Sequence, residues 1–175
     1  MINMEIDFKD ALEKIKENED IKKSLKDEYF LNSGIAIFKP GENGLDRWII
    51  TFYSSKEEEV VQGIVKKNGD IGFEESAKAI NPSTEELDPD EIKVTAKEAI
   101  EKAEEERERL ECGDRKTNQI IISVKKEQGR QLWEVNLISA SLSLFQARID
   151  AKTKEVIQSS SESLLKTEGD IPFTQ

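Results

Sequence analysis

Slid along itself by 85 residues with no gap, this sequence meets its own landmarks. Ala11, Ile15 and Leu25 fall on Ala96, Ile100 and Leu110; Ile35 and Ile37 fall on Ile120 and Ile122; Gly44 and Trp48 fall on Gly129 and Trp133; Ile64 falls on Ile149. Apolar residues meet apolar residues through both strand regions. An echo of this length implies two like units. Units of roughly 75 to 85 residues bury a modest fraction of their surface and are marginal alone, so the halves are expected to lean on each other. The boundaries read as a first unit over 5–78, a linker over 79–91, a second unit over 92–165 and a frayed tail over 166–175.

Asp7 is a plausible N-cap for a helix carrying Phe8, Ala11, Leu12 and Ile15 on one stripe, with a break at Asn18-Glu19-Asp20 and a further turn ending near Lys26. Ile35–Phe38, Arg47–Ser54, Val60–Val65 and a last stretch from Ile71 read as strands. They are joined by turns at Pro40–Gly44, Ser55–Glu59 and Asn68-Gly69, the last a strong hairpin signal. The order then repeats. Thr95-Ala96-Lys97-Glu98 has the form of a capping box and opens a helix to about Glu111; Gln119–Lys125, Leu132–Ser139, Leu142–Ile149 and Val156–Ser160 follow as strands. The fold class is α+β: two repeated units, each a helix packed on a roughly four-stranded antiparallel sheet.

Alternation assigns the faces. Trp48, Ile50, Phe52, Val60 and Ile64 are expected to face the helix in the first unit, and Trp133, Val135, Leu137, Phe145 and Ile149 in the second. The two tryptophans share one repeat position and read as core anchors rather than ligand-stacking groups. The opposite parity carries Ile49, Tyr53, Val61 and Val65, then Leu132, Ile138, Leu142 and Leu144. An open antiparallel sheet usually shows polar residues there, and a contiguous apolar patch marks a contact surface. Three arrangements would cover it: the two faces packing on each other within the monomer, self-association, or a groove for a peptide or another protein.

Composition removes several chemistries. The chain has no histidine, which removes the commonest general base, the Ser-His and Cys-His nucleophile systems and histidine-based zinc sites. Cys112 is the sole cysteine and follows a predicted helix C-terminus, whose dipole disfavours a thiolate. Neither glycine-rich phosphate-loop pattern occurs. Glu57-Glu58-Glu59 and the set Asp88, Asp90 and Glu91 match no metal-ligand spacing and read as solvated charge; Ser139, Ser141 and Ser143 have no histidine to activate them. No catalytic residue, metal site or cofactor is expected. The net charge of −11 is lopsided: residues 1–90 carry 12 Lys/Arg against 21 Asp/Glu, and the remainder 14 against 16. That balance disfavours nucleic acid and anionic membrane surfaces. No signal segment and no apolar run of the roughly 18–20 residues that span a bilayer is visible. The expected location is cytoplasmic, with an extracytoplasmic location as the alternative if a leader has been removed.

One stretch is familiar. Trp133-Glu134-Val135, followed after a hairpin by Ala147-Arg148-Ile149-Asp150-Ala151-Lys152-Thr153-Lys154-Glu155-Val156-Ile157, resembles the PepSY domain, in which a tryptophan-led strand precedes an Asp-x-x-Thr-Gly-Glu-Val hairpin. The first unit carries a worn version in Trp48, Val61–Val65 and Lys67–Ile71. The resemblance implies tandem cystatin-like folds and an inhibitory or protein-binding role, with no shared catalytic residues. The expected function is thus a non-catalytic protein- or peptide-binding or regulatory module. Its expected partner is a protein, a peptide or a second copy. The alternative is a small-ligand carrier or small enzyme with a pocket between helix and curved sheet, which would use a perturbed carboxylate such as Asp70 or Asp150.

Overall fold

The computed structural model describes residues 6–25, 28–41, 44–78, 85–110 and 116–163, with residues 75–78 as backbone only. Cys112, part of the Pro40–Gly44 turn, the first part of the linker and the tail after Lys166 lie outside the described residues.

Eight strands form one antiparallel sheet: β1 (Tyr29–Lys39), β2 (Gly44–Ser54), β3 (Glu59–Lys66), β4 (Ile71–Lys78), β5 (Thr117–Glu127), β6 (Arg130–Ser139), β7 (Ser143–Asp150) and β8 (Val156–Ser163). Their order across the sheet is β4-β3-β2-β1-β5-β6-β7-β8. Each unit supplies a four-stranded meander, and β1 and β5 join the halves edge to edge, from Ser33↔Lys125 to Phe38↔Ile120. This settles how the halves lean on each other. Their outer faces do not meet; they form one face of a common sheet. Helices α1 (Phe8–Glu17), α2 (Glu19–Ser24) and α3 (Ala96–Arg109) serve the other face.

The registers correct the gapless 85-residue superposition. Trp48 pairs with Ala36, while Trp133 pairs with Val124, so β1 and β5 are related by 88 positions. The helix N-caps Asp7 and Thr95 are also 88 apart. The tryptophan strands keep the offset of 85. In the next strand Val65 opposes Trp48 and Ile149 opposes Trp133, an offset of 84. The causes are turn length and a bulge: the first turn is two residues longer in unit 1 and Asp46 bulges from β2, and the second turn spans Ser55–Glu58 in unit 1 but only Ala140–Leu142 in unit 2. Side chains alternate with period two, so a one-residue error inverts a whole strand. Val60 and Ile64, expected to face the helix, lie on the outer face. Val61 and Val65, expected outside, face the helix and are buried. Ile35 and Ile37 face outward, whereas Ile120 and Ile122 are buried.

With the corrected offset the two helices superpose in detail. Phe8, Ala11, Leu12 and Ile15 are the buried stripe of α1, and Ala96, Ala99, Ile100 and Ala103 are that of α3. The Asp7 N–H donates to Asp10 Oδ2 at 3.2 Å. The Thr95 N–H donates to Glu98 Oε1 at 3.0 Å, and the Glu98 N–H returns to Thr95 Oγ1 at 3.1 Å. The residue before each cap accepts a tryptophan: Trp48 Nε1 donates to the Ile6 carbonyl and Trp133 Nε1 to the Val94 carbonyl, both at 2.8 Å. Both indoles are fully buried. Leaving such a donor unsatisfied costs roughly 1–3 kcal/mol, so each bond pins a helix start to the sheet. The expectation that the tryptophans anchor the core holds, and they anchor a shared one. Their ring centroids lie 6.3 Å apart, with Phe8 5.7 Å from Trp48 and 6.2 Å from Trp133.

The described part of the linker is docked. Leu87 is buried and its N–H donates to the Leu31 carbonyl at 2.9 Å. Gln131 Nε2 donates to the Asp88 carbonyl at 3.1 Å, and Pro89–Glu91 forms a single 3-10 turn. The segment thus ties β1 of unit 1 to β6 of unit 2.

Candidate functional site

One row of residues across the helix side of the sheet shows where the units differ. In unit 1 it runs Gly34, Ile50, Gly63, Phe73; in unit 2 the equivalent row runs Ile122, Val135, Ala147, Ser159. A Cβ added at Gly34 would stand 2.4 Å from Phe8 Cε1, and one at Gly63 would stand 2.3 Å from Ile15 Cδ1. Glycine there makes room for bulky helix residues. Chain direction breaks at Asn18, whose side chain accepts from the Ile21 N–H at 3.1 Å, and α2 then adds the fully buried Ile21. Ile71 and Phe73 of β4 pack against the same core.

In unit 2 the helix is alanine-rich and runs unbroken for 14 residues. Its side of β8 carries Val156 and then Ser159 and Ser161, so apolar cover stops one strand short of the sheet edge. The result is a groove of about 970 Å³ between the C-terminal half of α3 and the strand β8 with its preceding turn. Lys102, Glu105, Glu106 and Arg109 form the helix wall; Thr153–Glu155 and Val156–Ser159 form the opposite wall and floor. Arg109 Nη2 stands 2.6 Å from Glu106 Oε1, a hydrogen-bonded pair that holds the Glu106 carboxyl below its ordinary range. Lys154 Nζ lies 3.6 Å from Glu98. Both signs of charge, three hydroxyls or amides and one short apolar strip therefore converge on an open strand edge. The sequence reading did not identify this groove. Its signal was Ser159 standing where unit 1 has Phe73, which is invisible until the turn lengths are known.

The turn at one end of the groove is built on Asp150. Its Oδ1 accepts the N–H groups of Lys152 and Thr153, each at 2.8 Å, and its Oδ2 faces Arg130 Nε at 2.8 Å. Burial opposes the charge, but the N–H groups of Thr153 and Lys152 and the Arg130 guanidinium together outweigh it and hold the carboxyl below its ordinary range. This is the reverse of the shift that makes a carboxyl a general acid. Asp70 is exposed in the equivalent turn of unit 1, where its N–H donates to Asn68 Oδ1. Ser139, Ser141 and Ser143 bond to one another at 2.7–3.2 Å and close the β6–β7 turn. Among the described residues no group of three or more His, Cys, Asp or Glu is placed to hold a metal ion.

The outer sheet face is the second candidate surface. Ile64, Ile49 and Ile35 lie in one cross-strand row, and Ile37 pairs with Ile121 beside them. All five are half-buried, and no described helix crosses them. Of the residues expected on this face, Ile49 belongs to the patch. Tyr53 lies at its edge, buried edge-to-face against Phe30 at 5.7 Å. Leu132 is buried, Ile138 and Leu144 pair with each other farther along, and Leu142 is 46 % exposed in the turn with φ 60. Val61 and Val65 leave the surface altogether. Ile35, Ile37, Ile64 and Ile121 were not identified from sequence. Toward unit 2 the same face becomes ionic: Lys125 and Arg148 alternate with Glu127 and Glu134, and Arg130 pairs with Asp150 and Glu155.

No family model matches the chain, and no curated protein matches it. Among solved structures the chain is similar to a candidate lipoprotein from Clostridium difficile 630, at 14% identity and a TM-score of 0.60, over 91% of this chain and 95% of that one. The likeness shows a shared fold across nearly the whole length. Among the described residues no helix is long and apolar enough to cross a membrane.

Proposed function

We propose that this is a non-catalytic binding protein that carries a small polar ligand in the groove between α3 and β8. The observation that supports this reading is the parting of helix and sheet at β8. Around Phe8, Ile15, Trp48, Ile100 and Trp133 the interface is closed, all five side chains being fully buried. At β8 it is floored by a serine and walled by charges of both signs. A ligand with donors and acceptors at both ends, such as a zwitterion or a sugar, matches that lining. The likeness to a lipoprotein supports an extracytoplasmic location. Titrating isotope-labelled protein with free amino acids, dicarboxylates and monosaccharides tests the reading. One class is expected to shift the amides of Lys102, Arg109, Thr153 and Ser159 saturably. Ser159→Phe, which restores the bulk present in unit 1, is expected to abolish those shifts and keep the fold. Absence of saturable shifts, or equal shifts in the variant, would sink the proposal.

A second reading has its own observation. The row Ile64, Ile49 and Ile35, with Ile37 and Ile121 beside it, forms an apolar patch bordered by polar residues, the anatomy of a protein interface. On this reading the chain docks a protein on the sheet face, as the resemblance to PepSY domains implies, with inhibition as one consequence. Ile37→Asp is expected to abolish that docking without unfolding the protein.

A further inference from the structure

The rim of the isoleucine patch carries a charge that the chain as a whole does not. The chain is at −11, yet the residues bordering the patch in unit 1 are cationic. Ile37 pairs with Arg47, and Arg47 with Lys66, so two cations continue the row that Ile37 and Ile121 begin. Lys39 lies two residues beyond Ile37 on the same side of β1 and is exposed. Arg47 is held by its neighbour Asp46 at 2.7 Å, and the other exposed acids described on this side are Glu74 on β4, Glu162 on β8 and Asp70 in the turn after β3. Lys39 and Lys66 make no ion pair among the described residues. In unit 2 the cations of the face are already matched: Lys125 and Arg148 by Glu127 and Glu134, and Arg130 by Asp150. The available positive charge on this face is therefore confined to the border of the apolar patch.

We propose that the uncovered sheet face docks an acidic protein surface, with aliphatic side chains seated on Ile35, Ile37, Ile49, Ile64 and Ile121 and carboxylates set against Lys39 and Lys66. The inference rests on the protein-docking reading and adds the partner's chemistry. Charge complementarity carries it. A net-acidic chain repels acidic partners everywhere except where its cations cluster, so such a border gives both orientation and faster encounter. A second copy would have to set its own acids against this border, and on its sheet face Glu74 and Glu162 stand at the two outer edges, on β4 and β8, away from the isoleucines.

The test is selection of linear peptides from a displayed random library against the immobilised protein, with isoleucine methyl shifts as the map. Recovered sequences are expected to combine Asp or Glu with aliphatic residues, and to shift the methyls of Ile35, Ile37 and Ile121. Their affinity is expected to fall about tenfold in the double variant Lys39→Glu/Lys66→Glu, and to weaken with added salt. Peptides that bind this face without acidic enrichment, or that ignore the charge reversal, would overturn the acidic-partner inference and leave the docking reading standing. A library yielding no peptide that shifts those methyls would overturn both. So would a free protein that is dimeric in light scattering with those methyls already shielded.

Discussion

Phe8 sits over Gly34 and Ile15 over Gly63 in unit 1; the equivalent positions in unit 2 are Ala96 with Ile122 and Ala103 with Ala147. The same frame is filled from opposite sides. Unit 1 places bulk on the helix and glycine on the sheet. Unit 2 places alanine on the helix and branched or methyl-bearing residues on the sheet. Interiors are packed to crystal density, so volume moved from one layer must leave the other. The difference reaches the sheet edge. Unit 1 ends its row on Phe73, packed against the core; unit 2 ends its row on Ser159 beside α3, and a groove remains. Two copies of one design thus yield one closed edge and one open edge.

The largest expected effects probe the exchanged bulk. Gly63→Val is expected to destabilise by about 3 kcal/mol, because the added side chain meets Ile15 below contact distance. Ala147→Val at the equivalent site is expected to cost about 1 kcal/mol, since α3 offers only Ala103 opposite. Urea unfolding of both variants reads the difference, and equal costs would break the comparison.

Next come the shared anchors. Trp48→Phe and Trp133→Phe each delete the indole donor to the carbonyl before a helix cap. Each is expected to cost about 2 kcal/mol. Here the units should agree, and a much smaller loss in one would show that only the other helix is pinned in this way.

A pH dependence marks the Asp150 turn of unit 2. Asp150 is held below the ordinary carboxylate range in the folded state. Its contribution is therefore present above the unfolded pKa, about 3.9, and is lost as pH falls through the folded value. Asp150→Asn is expected to cost about 2 kcal/mol at neutral pH, with the gap to wild type closing below about pH 4. The smallest effect is expected at Leu142, a leucine with positive φ in the short β6–β7 turn. Leu142→Gly is expected to stabilise by about 1 kcal/mol, read as a rise in Tm.

Much of this was legible in the sequence. The helix–meander order, both helix starts and the inward tryptophans follow from periodicity and capping residues. The faces of β1 and β3 were not legible, because Asp46 bulges from β2 and the β2–β3 turn is one residue longer than the β6–β7 turn, and pattern alone does not fix such differences. Val60-Val61-Gln62-Gly63-Ile64-Val65 is apolar at both parities, and its one glycine marks the helix side only once Ile15 is seen against it. The groove escaped for the same reason. Ser159 is an ordinary edge-strand serine until Phe73 is known to be its counterpart.

The claim that bulk is exchanged between helix and sheet is tested most directly by a double-mutant cycle on Phe8→Ala and Gly34→Ile, which rebuilds in unit 1 the pair that unit 2 uses. Alone, the first removes a buried ring, expected to cost about 4 kcal/mol, and the second drives a side chain into that ring, expected to cost about 3 kcal/mol. The account predicts that the double variant is more stable than Phe8→Ala alone, with a favourable coupling of more than about 3 kcal/mol. Costs that simply add in equilibrium unfolding would contradict it.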